Sequence, residues 1–178
     1  MNFIYVKGLA LAAVSCLGSF AAMAEGYQVN TLSSSQLGMG HTGIAMKLGA
    51  ESQFFNPAGM AFMENRVEAS ASLNAVMPYA KAIVNGKTYK TDNDVSTPFS
   101  VFGAFSILDN LKAGISVYTP YGSSINWTDN WPGATLNQSV KLAAYTVQPT
   151  VAWRIIPGLS VGAGLTLTWG DVNLNKGL

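Results

Sequence analysis

Counting from Arg66, apolar side chains fall on every second residue. Over Arg66 to Met77 the odd positions are Val67, Ala69, Ala71, Leu73, Ala75 and Met77. The even ones are Arg66, Glu68, Ser70, Ser72, Asn74 and Val76. A period of two predicts a β-strand with one apolar and one polar face. Phe99 to Leu108 repeats the pattern less cleanly, with Phe102 and Leu108 on the otherwise polar side. In Leu111 to Thr119, Leu111, Ala113, Ile115 and Val117 oppose Lys112, Gly114, Ser116 and Tyr118. The runs Ala143 to Ile155 and Leu159 to Gly170 alternate most strictly.

These five runs are long, about nine to fourteen residues each, whereas strands of soluble sheets average about five or six. A tilted strand needs about nine to eleven residues to cross a hydrocarbon core. The polar faces carry Gly, Ser, Thr and Gln more than Lys and Glu, which suits a crowded lumen better than bulk water. Connections alternate too: Leu108-Asp109-Asn110 and Pro157-Gly158 are tight, while residues 78–98 and 120–138 are long. Short turns on one side and long loops on the other match an outer-membrane barrel with the short turns in the periplasm. Tyr118, Tyr121, Trp127, Trp131, Trp153 and Trp169 fall near strand ends, where interfacial girdles belong. The predicted fold is therefore all-β, an antiparallel transmembrane β-barrel, rather than a secreted soluble sandwich. Five strands are fewer than the eight that closure requires, so residues 66–178 are expected to be the N-terminal part of a longer barrel.

Composition agrees. Residues 1–24, with Lys7, an apolar run and Ala22-Met23-Ala24, have the layout of a removed export signal, too short in its apolar part to span a bilayer. A lipoprotein reading on Cys16 is opposed by the apolar run continuing past it to an ordinary cleavage site. The leader takes Lys7 and Cys16 with it, so the ten basic residues become nine against nine acidic ones. A neutral, cysteine-free chain has no electrostatic footprint for nucleic acid, no disulfide framework and no thiol chemistry. Charged residues make up 11% of the chain, against roughly a quarter in soluble domains.

Residues 25–65 do not alternate. Their Gly and Ser clusters suggest short turns, but Leu37, Ile44, Leu48, Phe54, Phe55, Met60, Phe62 and Met63 would be costly to leave in water. The segment is therefore expected to be a plug, or hatch, folded into the lumen. A plug would make the pore selective instead of general.

The mature start Glu25-Gly26-Tyr27-Gln28-Val29-Asn30, the Ser-rich stretch from Ser33 to Gly40, and Asn56-Pro57-Ala58 ahead of the first strand resemble the FadL family of outer-membrane long-chain fatty acid transporters. The resemblance implies a roughly fourteen-stranded barrel closed by an N-terminal hatch. It further implies passive transport of long-chain fatty acids or other hydrophobic ligands, with a lateral exit into outer-membrane lipid at a kink in the third strand. Carried over, Glu25, Gly26 and Tyr27 reach the ligand pocket, and Asn56, Pro57 and Ala58 sit at the lateral gate. Leu111 to Thr119 is the matching strand and Gly114 its expected kink. Glu25 stands where the family pattern has a small residue.

Read without the resemblance, Phe54 and Phe55 suit an acyl pocket or plug packing equally, and Asn56-Pro57 is a turn. Lys47 and Arg154 are candidates to meet a ligand carboxylate; pairing with Glu51 or Glu68 is the plainer reading. His41 is the single histidine, so no metal or cofactor site is expected. No nucleophile–base spacing suggests an enzyme. Competing cargoes are aromatic hydrocarbons or hemin, and a competing class is a structural or adhesin barrel displaying the long loops.

Overall fold

The computed structural model describes residues 28–128 and 130–177. The predicted leader, residues 1–24, and Glu25, Gly26 and Tyr27 lie outside the described residues.

The alternating part forms one antiparallel sheet. Its strands are β1 (Val67–Leu73), β4 (Phe99–Leu108), β5 (Leu111–Tyr118), β6 (Gly122–Asn126), β7 (Ser139–Ile156), β8 (Leu159–Gly164) and β9 (Leu167–Asn175). A separate hairpin joins β2 (Lys81–Val84) to β3 (Lys87–Lys90). β5 and β6 lie end to end along one edge of β7, and β8 and β9 along the other. With β1 and β4 this makes five adjacent lines of wall, as the five periodic runs require. The pairs Leu108↔Leu111 and Ile156↔Leu159 leave Asp109-Asn110 and Pro157-Gly158 as two-residue turns.

The long connections are more structured than their polar composition suggests. Residues 78–98 contain the β2–β3 hairpin, turned at Asn85 and Gly86 with φ of 51° and 77°. Two successive positive φ values define the turn that favours Asn-Gly. Residues 120–138 contain β6, which continues the third line of wall past the predicted end of the strand.

The faces are inverted relative to a protein folded in water. On the line through β5 and β7, Ile115, Val151 and Trp153 are about half exposed, while Ser116, Thr146, Gln148 and Thr150 are buried. A sheet that hides its hydroxyls and displays its aliphatic side chains fits lipid as the outer solvent. Tyr118 departs from the predicted girdle: it sits on the polar-side parity of β5 and is 2% exposed, pointing inward. No described helix is long and apolar enough to cross a membrane.

Residues 28–65 pack on the polar face of the wall. They fold as two short helices, α1 (Ser34–Gly38) and α2 (Ser52–Phe55), and three 3₁₀ turns, Gly43–Ala45, Gly49–Glu51 and Pro57–Phe62. Ser33 caps α1 by accepting the Gln36 amide at 3.0 Å, the ordinary use of a serine before a helix. Asn56 ends α2 in extended geometry and Pro57 opens the next turn, where its missing N–H removes a donor that had no partner. Between segment and wall lies the core: Leu32, Met60, Ala61 and Met63 from one side, Phe102, Ala104, Tyr118 and Ala152 from the other.

Candidate functional site

The third line of wall is interrupted where Thr119-Pro120-Tyr121 joins β5 to β6. Tyr118 pairs with Thr146 and Gly122 with Ala143, so three residues on one strand face two, Ala144 and Tyr145, on the other. This extra residue is a β-bulge, and Pro120 can donate nothing to the ladder there. The side-chain parity also changes. Tyr118 shares the inward side with Thr146, whereas beyond the bulge Gly122 shares the outward side with Ala143.

Two residues of the N-terminal segment dock on this bulge. Val29 donates its amide to the Pro120 carbonyl at 2.8 Å, and Gln28 forms a bridge with Tyr121. Beside them lies an open cavity of about 430 Å³ lined largely by apolar side chains, among them Val29, Val76, Pro98, Tyr121, Leu142 and Tyr145. That volume is within the range of small-molecule sites, and apolar side chains make up just over half of a lining that also carries several serines and threonines. Lys141 and Asp94 also line it, and neither is within ion-pair distance of an opposite charge among the described residues.

Nearer the two-residue turns the N-terminal segment packs closely on the wall. Gln53 Nε2 donates to the carbonyls of Gly103 at 2.9 Å and Ala50 at 3.1 Å. A Cβ on Gly114 would lie 2.6 Å from the Gln53 side chain. Gln148 Nε2 donates to the Gln53 carbonyl at 2.7 Å, and Tyr118 Oη donates to Gln148 Oε1 at 2.6 Å. Glu51 is buried and accepts hydroxyls from Ser33 of its own segment and Ser70 of β1.

The residues singled out by sequence are distributed over both parts. Phe54 stacks edge-on against Tyr118 and Phe55, with ring centroids 5.0 and 4.9 Å apart, and so packs the segment against the wall next to the bulge. Neither phenylalanine is on the lining of the cavity. Asn56-Pro57-Ala58 meets the fifth line of wall: Ser160 Oγ donates to the Ala58 carbonyl at 2.9 Å, and Gly162 faces the Pro57–Ala58 peptide. The β5 ladder runs in register through Gly114 on both edges; its irregularities fall at Ser106–Leu108 on the β4 edge and at Thr119-Pro120-Tyr121.

The two candidate cations make other bonds than those expected. Lys47 pairs with Glu64 at 3.2 Å, not with Glu51 or Glu68, because it projects from the exposed side of its segment. Glu68 accepts instead from Asn65. Arg154 lies at the periplasmic-type turn and donates to the Asp109 carbonyl at 3.2 Å. The cation on the cavity is Lys141, which sequence reasoning passed over because it stands on the apolar parity of its strand. Gln53 and Gln148 were likewise missed, the available signal being the strand glycines Gly114 and Gly164 that they approach; Glu51 was read only as an ion-pair partner, and it accepts serine hydroxyls instead.

Comparison with known proteins fits this arrangement. Residues 15–178 match a family model described as outer membrane protein transport protein (OMPP1/FadL/TodX). A Neisseria meningitidis serogroup B protein, named for the outer membrane, is 27% identical over 136 residues, 70% of this chain and 28% of its own length. The Escherichia coli K12 long-chain fatty acid transport protein is 26% identical over 175 residues, 94% of this chain and 39% of its own. The crystal structure of a Pseudomonas aeruginosa FadL homologue superposes with a TM-score of 0.65 at 18% identity, covering 84% of this chain and 39% of that one. This chain thus spans well under half the length of these relatives. Inverted faces, an N-terminal segment on the polar side and the family match agree: the chain belongs to the FadL/TodX family of outer-membrane transport proteins and is part of an outer-membrane β-barrel.

Proposed function

We propose that this chain takes part in passive, hatch-gated passage of long-chain fatty acids or similar hydrophobic compounds across the outer membrane. Residues 25–65 are the hatch. The observation that carries the reading is the cavity at the third-line bulge, lined by both wall and N-terminal segment and apolar on most of its surface. An apolar ligand entering it leaves water at about 25 cal/mol per Å² of buried area, and the bulge gives it a route between strands into lipid. By the family resemblance Glu25, Gly26 and Tyr27 are assigned to the ligand pocket; in sequence they directly precede Gln28 and Val29, the residues docked on the bulge. Lys141 is placed to meet a carboxylate at its rim.

Gate function at Asn56, Pro57, Ala58 and Gly114 is indirect in this reading. These residues seat the hatch on the wall, and release from those seats widens the path at the bulge. Cells with and without the full-length gene, given labelled oleate, test the cargo: lower uptake without the gene is expected, and equal uptake removes fatty acids. Purified protein titrated with fatty acids of increasing length separates the alternatives. Affinity that rises with acyl length supports the acyl pocket, and a flat series with tight hemin or aromatic binding overturns it.

A further inference from the structure

The β2–β3 hairpin carries Lys81, Lys87 and Lys90, three of the nine cations outside the leader, and no acidic residue. Its register sets Lys81 directly opposite Lys90. The neighbouring amide of Thr91 donates to the Ala80 carbonyl at 3.0 Å, which makes that pair hydrogen-bonded and the lysine pair non-hydrogen-bonded. Non-hydrogen-bonded pairs hold opposing side chains closest, and like charges there repel. Neither lysine has an ion-pair partner among the described residues, although Asp92 and Asp94 follow shortly in the chain.

The hairpin is not free to splay and relieve this. Its other face is fixed: Tyr89 meets Trp131 edge-on at 5.6 Å, Trp131 stacks on Trp127 at 4.2 Å, and Thr91 bridges to Trp127. Lys87 lies over the Tyr89 ring. The open face presents Lys81 and Lys90 beside Ile83, which is 67% exposed, and the chain leading to it displays Leu73, Met77 and Tyr79. The hairpin rises from the side of the wall opposite the two-residue turns, the outer side of a barrel of this kind.

We propose that Lys81 and Lys90 form a docking site for the phosphate-bearing headgroup of an outer-leaflet lipid. A phosphate between the two ammonium groups converts their repulsion into two charge-assisted bonds. The exposed apolar residues running up from the membrane face select a lipid over a free anion, because they add contact only for a ligand with an apolar body.

The test uses purified full-length protein titrated with bisphosphorylated lipid A in mixed micelles. The Lys81→Gln/Lys90→Gln double variant is expected to bind at least tenfold more weakly, wild-type binding to fall with added salt, and dephosphorylated lipid A to lose the difference between the two proteins. Equal binding by wild type and variant overturns the proposal, as does inorganic phosphate that matches lipid A in affinity. Removing facing lysines relieves repulsion, so the variant should fold. Lys90→Glu supplies a second check, because an acid opposite Lys81 preserves the hairpin while occupying the site. Oleate uptake by either variant should match wild type, which separates this site from the transport reading.

Discussion

The half of the wall near the two-residue turns and the half near the long connections are built from the same strands but packed in opposite ways. Near the turns, glycines on the inner face let the N-terminal segment come to within backbone contact. Gly114 receives Gln53, and Gly162 receives the Pro57–Ala58 peptide. Near the long connections the third line bulges at Pro120, the parity of its side chains changes, and a cavity replaces the close packing. The difference teaches that one strand line can be closely packed along one half and stand beside a cavity along the other, with a single inserted residue between the two. Strand glycines mark where another element approaches closely, and a proline bulge marks where that packing gives way to the cavity.

The largest effect on the closely packed half is expected from Gly162→Val. A Cβ there would stand 2.5 Å from the Pro57 carbonyl carbon and the Ala58 amide nitrogen. Both are backbone atoms with no rotamer to yield, so the segment must lift, at a cost of roughly 3 kcal/mol. Faster proteolysis of residues 28–65 and entry of a large antibiotic into cells would register it. Unchanged protection would mean that the seat tolerates displacement. Glu51→Ala comes next. It leaves the buried hydroxyl of Ser33 and the half-buried one of Ser70 without their acceptor, a loss of about 2 kcal/mol. Glu51→Gln keeps an acceptor oxygen and should lose less than half as much in the same proteolysis assay.

How far the sequence reveals these halves follows from the same packing. The outward faces are legible because lipid imposes a period of two, and Phe99–Leu108 matches its strand residue for residue. Past Tyr118 the periodicity fails because the bulge exchanges inward and outward parity, so Gly122–Asn126 reads as loop. The Asn85-Gly86 hairpin carried a strong local signal, but it sits in a polar stretch whose composition reads as connection. The Lys47–Glu64 pair and the Arg154 bond to the Asp109 carbonyl are set by tertiary placement, which charge spacing does not encode. Asn56-Pro57 is legible as a turn, while its landing on Ser160 depends on a residue about a hundred positions away.

Tyr118→Phe probes the boundary between the halves. It removes the hydroxyl donated to Gln148 at 2.6 Å but keeps the ring against Phe54 and Phe102. A loss of about 1 kcal/mol is expected, seen as a modest drop in unfolding temperature with the fold intact. A loss several times larger would show that Gln148, Gln53 and Tyr118 act as one coupled network, in which case the double variant with Gln148→Ala would add little.

The smallest effect on stability is expected from deleting Pro120, and it bears most directly on the comparison. With Pro120 absent, Thr119 and Tyr121 stand opposite Tyr145 and Ala144, and the register of β5 runs into β6 without an extra residue. The ladder gains a backbone donor and loses the local twist that a bulge imposes. The contacts of Gln53, Glu51 and Ala58 lie in the other half and stay as they are, so proteolysis within residues 33–65 should change by the equivalent of about 0.5 kcal/mol or less. The docking of Gln28 and Val29 loses its seat and the cavity closes. Labelled oleate uptake should then collapse in a barrel whose close packing is intact. Retained uptake would place the exit elsewhere in the wall and reduce the bulge to a local adjustment of strand direction.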